Sequence, residues 1–206
     1  MKINTKNIAI ISGSLRKDSF NTKVLKNMEI EINSQGYNTT FVDLNDYPLP
    51  FYNEDVELKG IPSNLFMLKN ILISSSGLIV SSPEYNGEIS AVLKNTLDWL
   101  SRKKVNETPK ENFLDLKTIA VGASIGKNGA NRSIERLQVL LRVLGVDRDI
   151  LTYSLSKASN DTFDNDGKFT IIEEKEIIRK LVSNYLGSIN SLRDNLDNPN
   201  VKAAQN

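Results

Sequence analysis

Short apolar runs alternate along the chain with longer stretches in which apolar residues recur every three or four positions. Ile8 to Ser12 (IAIIS) has almost no polar alternation and ends in Gly13, the pattern of a strand covered on both faces. Val24, Leu25, Met28 and Ile32 then share one helical face, which stops at Gly36. Thr39 to Leu44 predicts a second strand, followed by an irregular, proline-bearing stretch from Tyr47 to Phe51. Leu65, Leu68, Leu72 and Ile73 predict a helix, and Gly77 to Ser81 (GLIVS) a third buried strand. Beyond a loop at Pro83, helical spacing resumes from Ile89 through Val92, Leu93 and Leu97 to Leu100. Thr118 to Ala123 predicts the fourth strand, and Ile134, Leu137, Leu141 and Leu144 the next helix. Ile150 and Leu151 predict a short last strand, and Ile177, Ile178, Leu181, Tyr185 and Ile189 line the last helix.

Strands that alternate with helices predict an α/β fold, because parallel neighbours need crossovers that pack back on the sheet. Five strands and five helices in a chain of this length predict a doubly wound parallel sheet with helices on both faces, in the order 2-1-3-4-5. One domain is expected over residues 1–191, with 192–206 as a frayed tail. In such a sheet ligands bind beyond the carboxyl ends of the strands where the order reverses, here between the first and third. The loops to inspect are therefore Gly13 to Asn21 and Ser82 to Glu88.

Composition narrows the chemistry. The chain has no cysteine and no histidine, which excludes thiolate nucleophiles, disulfides, imidazole bases and the usual zinc sites. Lysine plus arginine number 26 against 25 aspartate plus glutamate, so no global field recruits nucleic acid or an anionic membrane. No apolar stretch has the length of a bilayer span, and a cytoplasmic location is expected.

The first loop reads GSLRKDSFN and is neither a GxGxxG nor a GxxxxGK[ST] motif. Ser14, Arg16, Ser19 and Asn21 crowd the start of a helix, a donor set suited to a phosphate dianion. An ordinary turn, capped by Ser19 or Asn21 with Arg16 in solvent, accounts for the same residues equally well. The second loop, SSPEYNGEIS, offers an aromatic ring and an Asn86-Gly87 pair tolerant of positive φ, so that its N–H groups turn outward. That suits a flat heterocycle rich in acceptors, and a plain Asn-Gly turn is the alternative.

GSLRKDSFN followed by PEYNGEISAVLKNTLDWLSR resembles the NADPH-dependent FMN reductase family, which includes bacterial quinone, azo and chromate reductases of flavodoxin-like fold. The resemblance implies that Ser14, Arg16, Ser19 and Asn21 hold the FMN phosphate, with Pro83, Glu84, Tyr85, Asn86 and Gly87 along the isoalloxazine through main-chain groups. It also matches GASIGKNGANRS to a third cofactor loop, placing Ser124, Gly126 and Gly129 near the flavin's pyrimidine edge. Many relatives have paired glycines where this chain has Gly129-Ala130.

The expected activity is an FMN-dependent NAD(P)H oxidoreductase. Hydride passes from NADPH or NADH to flavin N5 and two electrons pass on to a quinone, azo, chromate or flavin acceptor in a ping-pong cycle, with no catalytic side chain. N–H groups near Ser124 and the following helix start are expected to stabilise the reduced flavin. Tyr85 and the loop Asn53 to Glu57 are expected to shape the shared pocket. The alternative is a flavodoxin-like electron carrier, against which the balanced charge weighs. The resemblance further implies a homodimer or homotetramer, and Trp99, off its helix's main stripe, is expected as peripheral core or at that interface. Arg102, Lys103 and Lys104 read as a solvated helix end. Thr162 to Glu173 comes near a calcium-loop pattern but reads better as a hairpin, Phe163 to Phe169, turned on Asp166-Gly167.

Overall fold

The computed structural model describes residues 6–102, 116–146 and 149–197. Strands β1 (Asn7–Ser12), β2 (Asn38–Asp43), β3 (Gly77–Ser81), β4 (Lys117–Ala123) and β5 (Leu151–Leu155) form one sheet in the order β2-β1-β3-β4-β5. Every pairing is parallel. The helices are α1 (Phe20–Ser34), α2 (Glu54–Leu58), α3 (Ser63–Ile73), α4 (Ala91–Leu100), α5 (Asn131–Val143) and α6 (Ile172–Asp197). The expected order and crossovers are those observed. β5 runs further than its apolar start suggested, because it is an edge strand with Thr152 and Ser154 exposed between buried Tyr153 and Leu155. The segment expected as the loop Asn53 to Glu57 contains α2, whose start is capped by Asn53 accepting from the Asp55 N–H at 2.8 Å. α6 continues to Asp197, past the expected boundary at 191, and 198–206 lie outside the described residues.

Alternate residues of the central strands feed two separate cores. Ile8, Ile10, Ile79, Ile119 and Val121 pack under α1 and α6, against Val24, Leu25, Met28 and Val182. Ala9, Ile11, Leu78, Val80 and Ala120 pack on the other face against Leu65, Leu68, Leu93, Leu97 and Leu137 of α3, α4 and α5. Burial on both faces is why these strands lack polar alternation. Gly77 leaves a notch in β3 that Tyr185 fills: a Cβ at Gly77 would lie 2.1 Å from the Tyr185 hydroxyl. That hydroxyl hydrogen-bonds to the carbonyls of Leu78 and Lys117 at 3.3 and 3.1 Å.

The irregular stretch before α2 folds back over α4 and corrects the reading of Trp99. The indole is fully buried, donates to the Pro50 carbonyl at 2.7 Å and meets Tyr52 edge to face at 5.2 Å. It lies off the main stripe because its partner is coil, which carries no period. Asn95 fastens the same strap, donating to the Pro50 carbonyl and accepting from the Tyr52 N–H. Arg102, expected in solvent, stacks over Tyr52 and donates to its hydroxyl at 2.7 Å, while that hydroxyl donates to Glu57. This hydrogen bond is the main reason its guanidinium is held above its ordinary pKa. Lys103 and Lys104 lie outside the described residues.

The expected hairpin forms between β5 and α6. Phe163 and Phe169 bridge it, Asp164 and Lys168 pair at 2.8 Å, and the Asp164 carboxylate accepts from the N–H groups of Asp166 and Lys168. Asn27 of α1 holds the hairpin at Gly167 and Phe169, and Phe20 stacks on Phe163 at 6.0 Å.

Candidate functional site

The carboxyl ends of the central strands meet where the strand order reverses, with Ser12 beside Ser81 and Ser81 beside Val121. Gly13 donates to the Ser81 carbonyl at 2.9 Å and accepts from the Ser90 hydroxyl at 2.6 Å. A side chain at Gly13 has no room, since its Cβ would lie 2.4 Å from the Ser81 carbonyl oxygen. The first loop is thus pinned at its base to the start of α4.

Beyond Gly13 the loop rises over the start of α1. Ser14 and Ser19 are buried, and Ser19 caps the helix by accepting from the Thr22 N–H. Among the described residues, the N–H groups of Leu15, Lys17, Asp18, Phe20 and Asn21 have no protein partner. Arg16 is exposed, lies over the Phe20 ring at 5.3 Å and donates to the Asp18 carbonyl at 2.8 Å, which holds its guanidinium beside the loop. Asn21 is used differently: its side chain donates to the Ala123 carbonyl and accepts from the Ala123 N–H, bridging α1 to β4. Only its backbone N–H remains available at the helix end.

The second loop is a tight hairpin. Tyr85 and Glu88 exchange both backbone hydrogen bonds at 3.1 Å, and Asn86 and Gly87 take φ values of 55° and 81°. Two consecutive positive φ angles make a type I′ turn, which leaves its two central N–H groups turned outward. Pro83 is buried and Tyr85 is 58% exposed at the tip. Ser82 anchors the base, donating its N–H to Val121 and accepting from the Ser90 N–H.

In the third loop the Ser124 hydroxyl accepts from the Gly126 N–H at 3.0 Å, and Lys157 donates to the Gly126 carbonyl. Gly129 is buried against β5, where its Cβ would lie 2.2 Å from the Ser154 hydroxyl; the absence of a side chain there serves strand packing. Ala130 adopts a left-handed φ of 63° and α5 has no side-chain cap of its own. Glu84 supplies one from the second loop, accepting from the N–H groups of Arg132 and Ser133 at 3.1 and 3.3 Å. Two of the N–H groups at the helix start that was expected to stabilise reduced flavin therefore already have a carboxylate partner. No local sequence signal announced the contact, which spans loops far apart in the chain.

Two concavities flank these loops. A cleft of about 230 Å³ runs from Leu15 to Tyr47, Leu49 and Asn95, and a groove of about 580 Å³ runs from Tyr85 along Ala91, Val139, Leu140 and Val143.

Residues 6–147 match the NADPH-dependent FMN reductase family. The chain is 30% identical over 170 residues to an NAD(P)H-dependent FMN reductase of Pseudomonas aeruginosa, covering 82% of this chain and 88% of that one. It is 32% identical over 187 residues to an NAD(P)H:quinone oxidoreductase of Solanum tuberosum, covering 85% and 88%. The solved structure of FerB, a flavoenzyme NAD(P)H:(acceptor) oxidoreductase of Paracoccus denitrificans, superposes with a TM-score of 0.75 at 25% identity, covering 91% of this chain and 98% of that one.

Proposed function

The chain belongs to the NADPH-dependent FMN reductase family, and on that premise we propose that it binds FMN across the three loops and reduces quinones with electrons from NAD(P)H. Membership makes it an oxidoreductase with FMN and NAD(P)H as its redox pair. The observation that carries the placement is the first loop: partnerless N–H groups, two hydroxyls and an exposed guanidinium converge at the start of a 15-residue helix. That donor set fits a phosphate dianion, for which both the N–H groups and the helix dipole are favourable.

Ser14, Arg16, Ser19 and the backbone N–H of Asn21 would hold the phosphate. Pro83, Glu84, Tyr85, Asn86 and Gly87 would flank the ring, with the outward N–H groups of the turn as donors. Ser124, Gly126 and Gly129 would close the remaining side. Bound FMN would supply the redox chemistry, taking hydride from NAD(P)H and passing two electrons to the quinone, whose protons would come from the reduced flavin and solvent, so that no side-chain acid or base is assigned. The exposed Tyr85 ring beside the turn would offer a stacking surface to a flat acceptor. A quinone acceptor is supported by relatives named as quinone oxidoreductases. NAD(P)H and acceptor would use the same open face in turn.

A homodimer is part of this reading, supported by the apolar groove of α4 and α5 that begins at Tyr85 and ends at an exposed Val143. Its rim carries both signs, Glu88 paired with Arg136 and Lys94 with Asp98, so two copies of the patch can meet without net like-charge repulsion. A cytoplasmic location is also part of it, since NAD(P)H is held inside cells. Among the described residues no helix is long and apolar enough to cross a membrane.

The test is an FMN titration followed by anaerobic addition of NADPH or NADH and then p-benzoquinone. Bleaching of the flavin by the nicotinamide and recovery on quinone, with parallel double-reciprocal plots, is the expected result. A protein that takes up FMN yet stays yellow under NAD(P)H would overturn it.

A further inference from the structure

We propose that Glu84 is a positioning residue of the flavin site, which latches the third loop to the second and sets the charge that the start of α5 presents there. This rests on the FMN reading above and adds to it a control over which redox form the site prefers.

α5 opens on Ala130 in the left-handed region, with no cap of its own; Ser133, which could have provided one, donates its hydroxyl back to the Ala130 carbonyl at 2.9 Å. An uncapped helix start leaves N–H groups without partners and carries about half a positive charge. Glu84 comes from the loop after the neighbouring strand β3 and takes the N–H groups of Arg132 and Ser133 on a single oxygen, Oε2. The contact joins the two turns that would flank the ring through one half-buried side chain, beside the longer Ser133–Ser82 contact at 3.4 Å and the exposed Glu88–Arg136 pair.

The electrostatic consequence follows from the sign. A bare helix start would favour whichever ligand form is more negative. Glu84 places a full negative charge there; Glu88 is offset by Arg136 at 3.3 Å, and the Arg132 side chain, which passes Gly87, is the cation that Glu84 itself balances. Flavin becomes more negative on reduction, so Glu84 weakens the hold on reduced FMN relative to oxidised FMN. Such a site keeps the reduced cofactor a strong electron donor.

Three variants separate spacing from charge. Glu84→Gln retains an oxygen acceptor and removes the charge, Glu84→Asp retains the charge on a shorter arm, and Glu84→Ala removes both. Two quantities are read: amide exchange at Arg132 and Ser133 in flavin-free protein, and dissociation constants for FMN before and after dithionite reduction. The chain has no cysteine for dithionite to perturb. Glu84→Ala should speed exchange at those amides about fivefold, the loss of one helix cap, and weaken both FMN forms. Glu84→Gln should keep most of the protection and shift the ratio of the two constants about two- to fivefold towards reduced FMN, a shift that Glu84→Asp should not show. Unchanged exchange in Glu84→Ala overturns the latch, and an unchanged ratio in Glu84→Gln overturns the charge control. A wild-type protein that binds neither form overturns the FMN reading and the charge control together, and is told apart because the exchange experiment contains no flavin.

Discussion

The side-chain amide of Asn21 brackets the backbone of Ala123, donating to its carbonyl at 3.1 Å and accepting from its N–H at 3.0 Å. A residue that the family resemblance assigns to a phosphate is thereby a strut between the first helix and the fourth strand. Asn21→Ala leaves two buried backbone groups without partners and should cost about 2–4 kcal/mol of stability. Urea denaturation reads the loss. A full-stability variant with weakened FMN binding would instead place the side chain on the phosphate.

Arg16 has the opposite character, exposed and held over Phe20. Arg16→Ala should weaken FMN binding by about 1.5–3 kcal/mol, roughly ten- to hundredfold, the range of a charged hydrogen bond. Binding of riboflavin, which lacks the phosphate, should be unchanged. Equal losses for both ligands would remove Arg16 from the phosphate site.

Ala130 adopts φ 63°, a conformation that favours glycine, with its methyl buried against Gly122. Relief of left-handed strain in Ala130→Gly should gain about 1 kcal/mol, and the lost methyl should cost about 0.8 kcal/mol. Little net change in melting temperature is expected. Ala130→Val adds a branched side chain in the same conformation against a full core and should lower it clearly.

Burial, reinforced by a 2.6 Å hydrogen bond to Glu174 and by that carboxylate's charge, pushes Tyr153 far above its ordinary 10.0. Burial likewise pushes Tyr185 well above 10.0. Both phenols stay neutral in the folded protein and ionise near that value only on unfolding. Their contribution is therefore complete below pH 10.0 and is lost as pH rises above it. Stability should fall by up to about 2.7 kcal/mol per pH unit at the steepest, one proton's worth of 1.36 from each. Tyr185→Phe should start lower and fall half as steeply, as chemical denaturation at successive alkaline pH values will read.

Val139 and Val143 are 57% and 78% exposed on the groove beside Tyr85. Val143→Glu should convert a dimer to a monomer in light scattering while leaving the melting temperature of the folded chain nearly unchanged. A wild-type monomer at micromolar concentration would remove the interface.

The architecture was legible because its signals are local. Uninterrupted runs such as Ile8 to Ser12 and Gly77 to Ser81 announce strands buried on both faces, and the Asn86-Gly87 pair announces its turn. The loops that form the candidate site could be located because topology alone names the edge where strand order reverses. What escaped was every contact made by a side chain to distant backbone. Asn21 reads as a loop donor until Ala123 is seen beside it, and Glu84 reads as a loop residue until the bare start of α5 is found to lack a cap. Trp99 looked peripheral because the strap that covers it, around Pro50 and Tyr52, has no periodicity to reveal it.

The notch at Gly77 has a consequence for how the chain is made. The side chain that fills it, Tyr185, belongs to the last helix, whereas the strand that offers it lies at the middle of the sheet. During synthesis every strand emerges before that helix, so the face of the sheet beneath α6 stays open to water and to other chains until the C-terminal region leaves the ribosome. The final helix is thus a closing bolt, and a chain truncated before Ile172 should accumulate in aggregates even though all five strands are present.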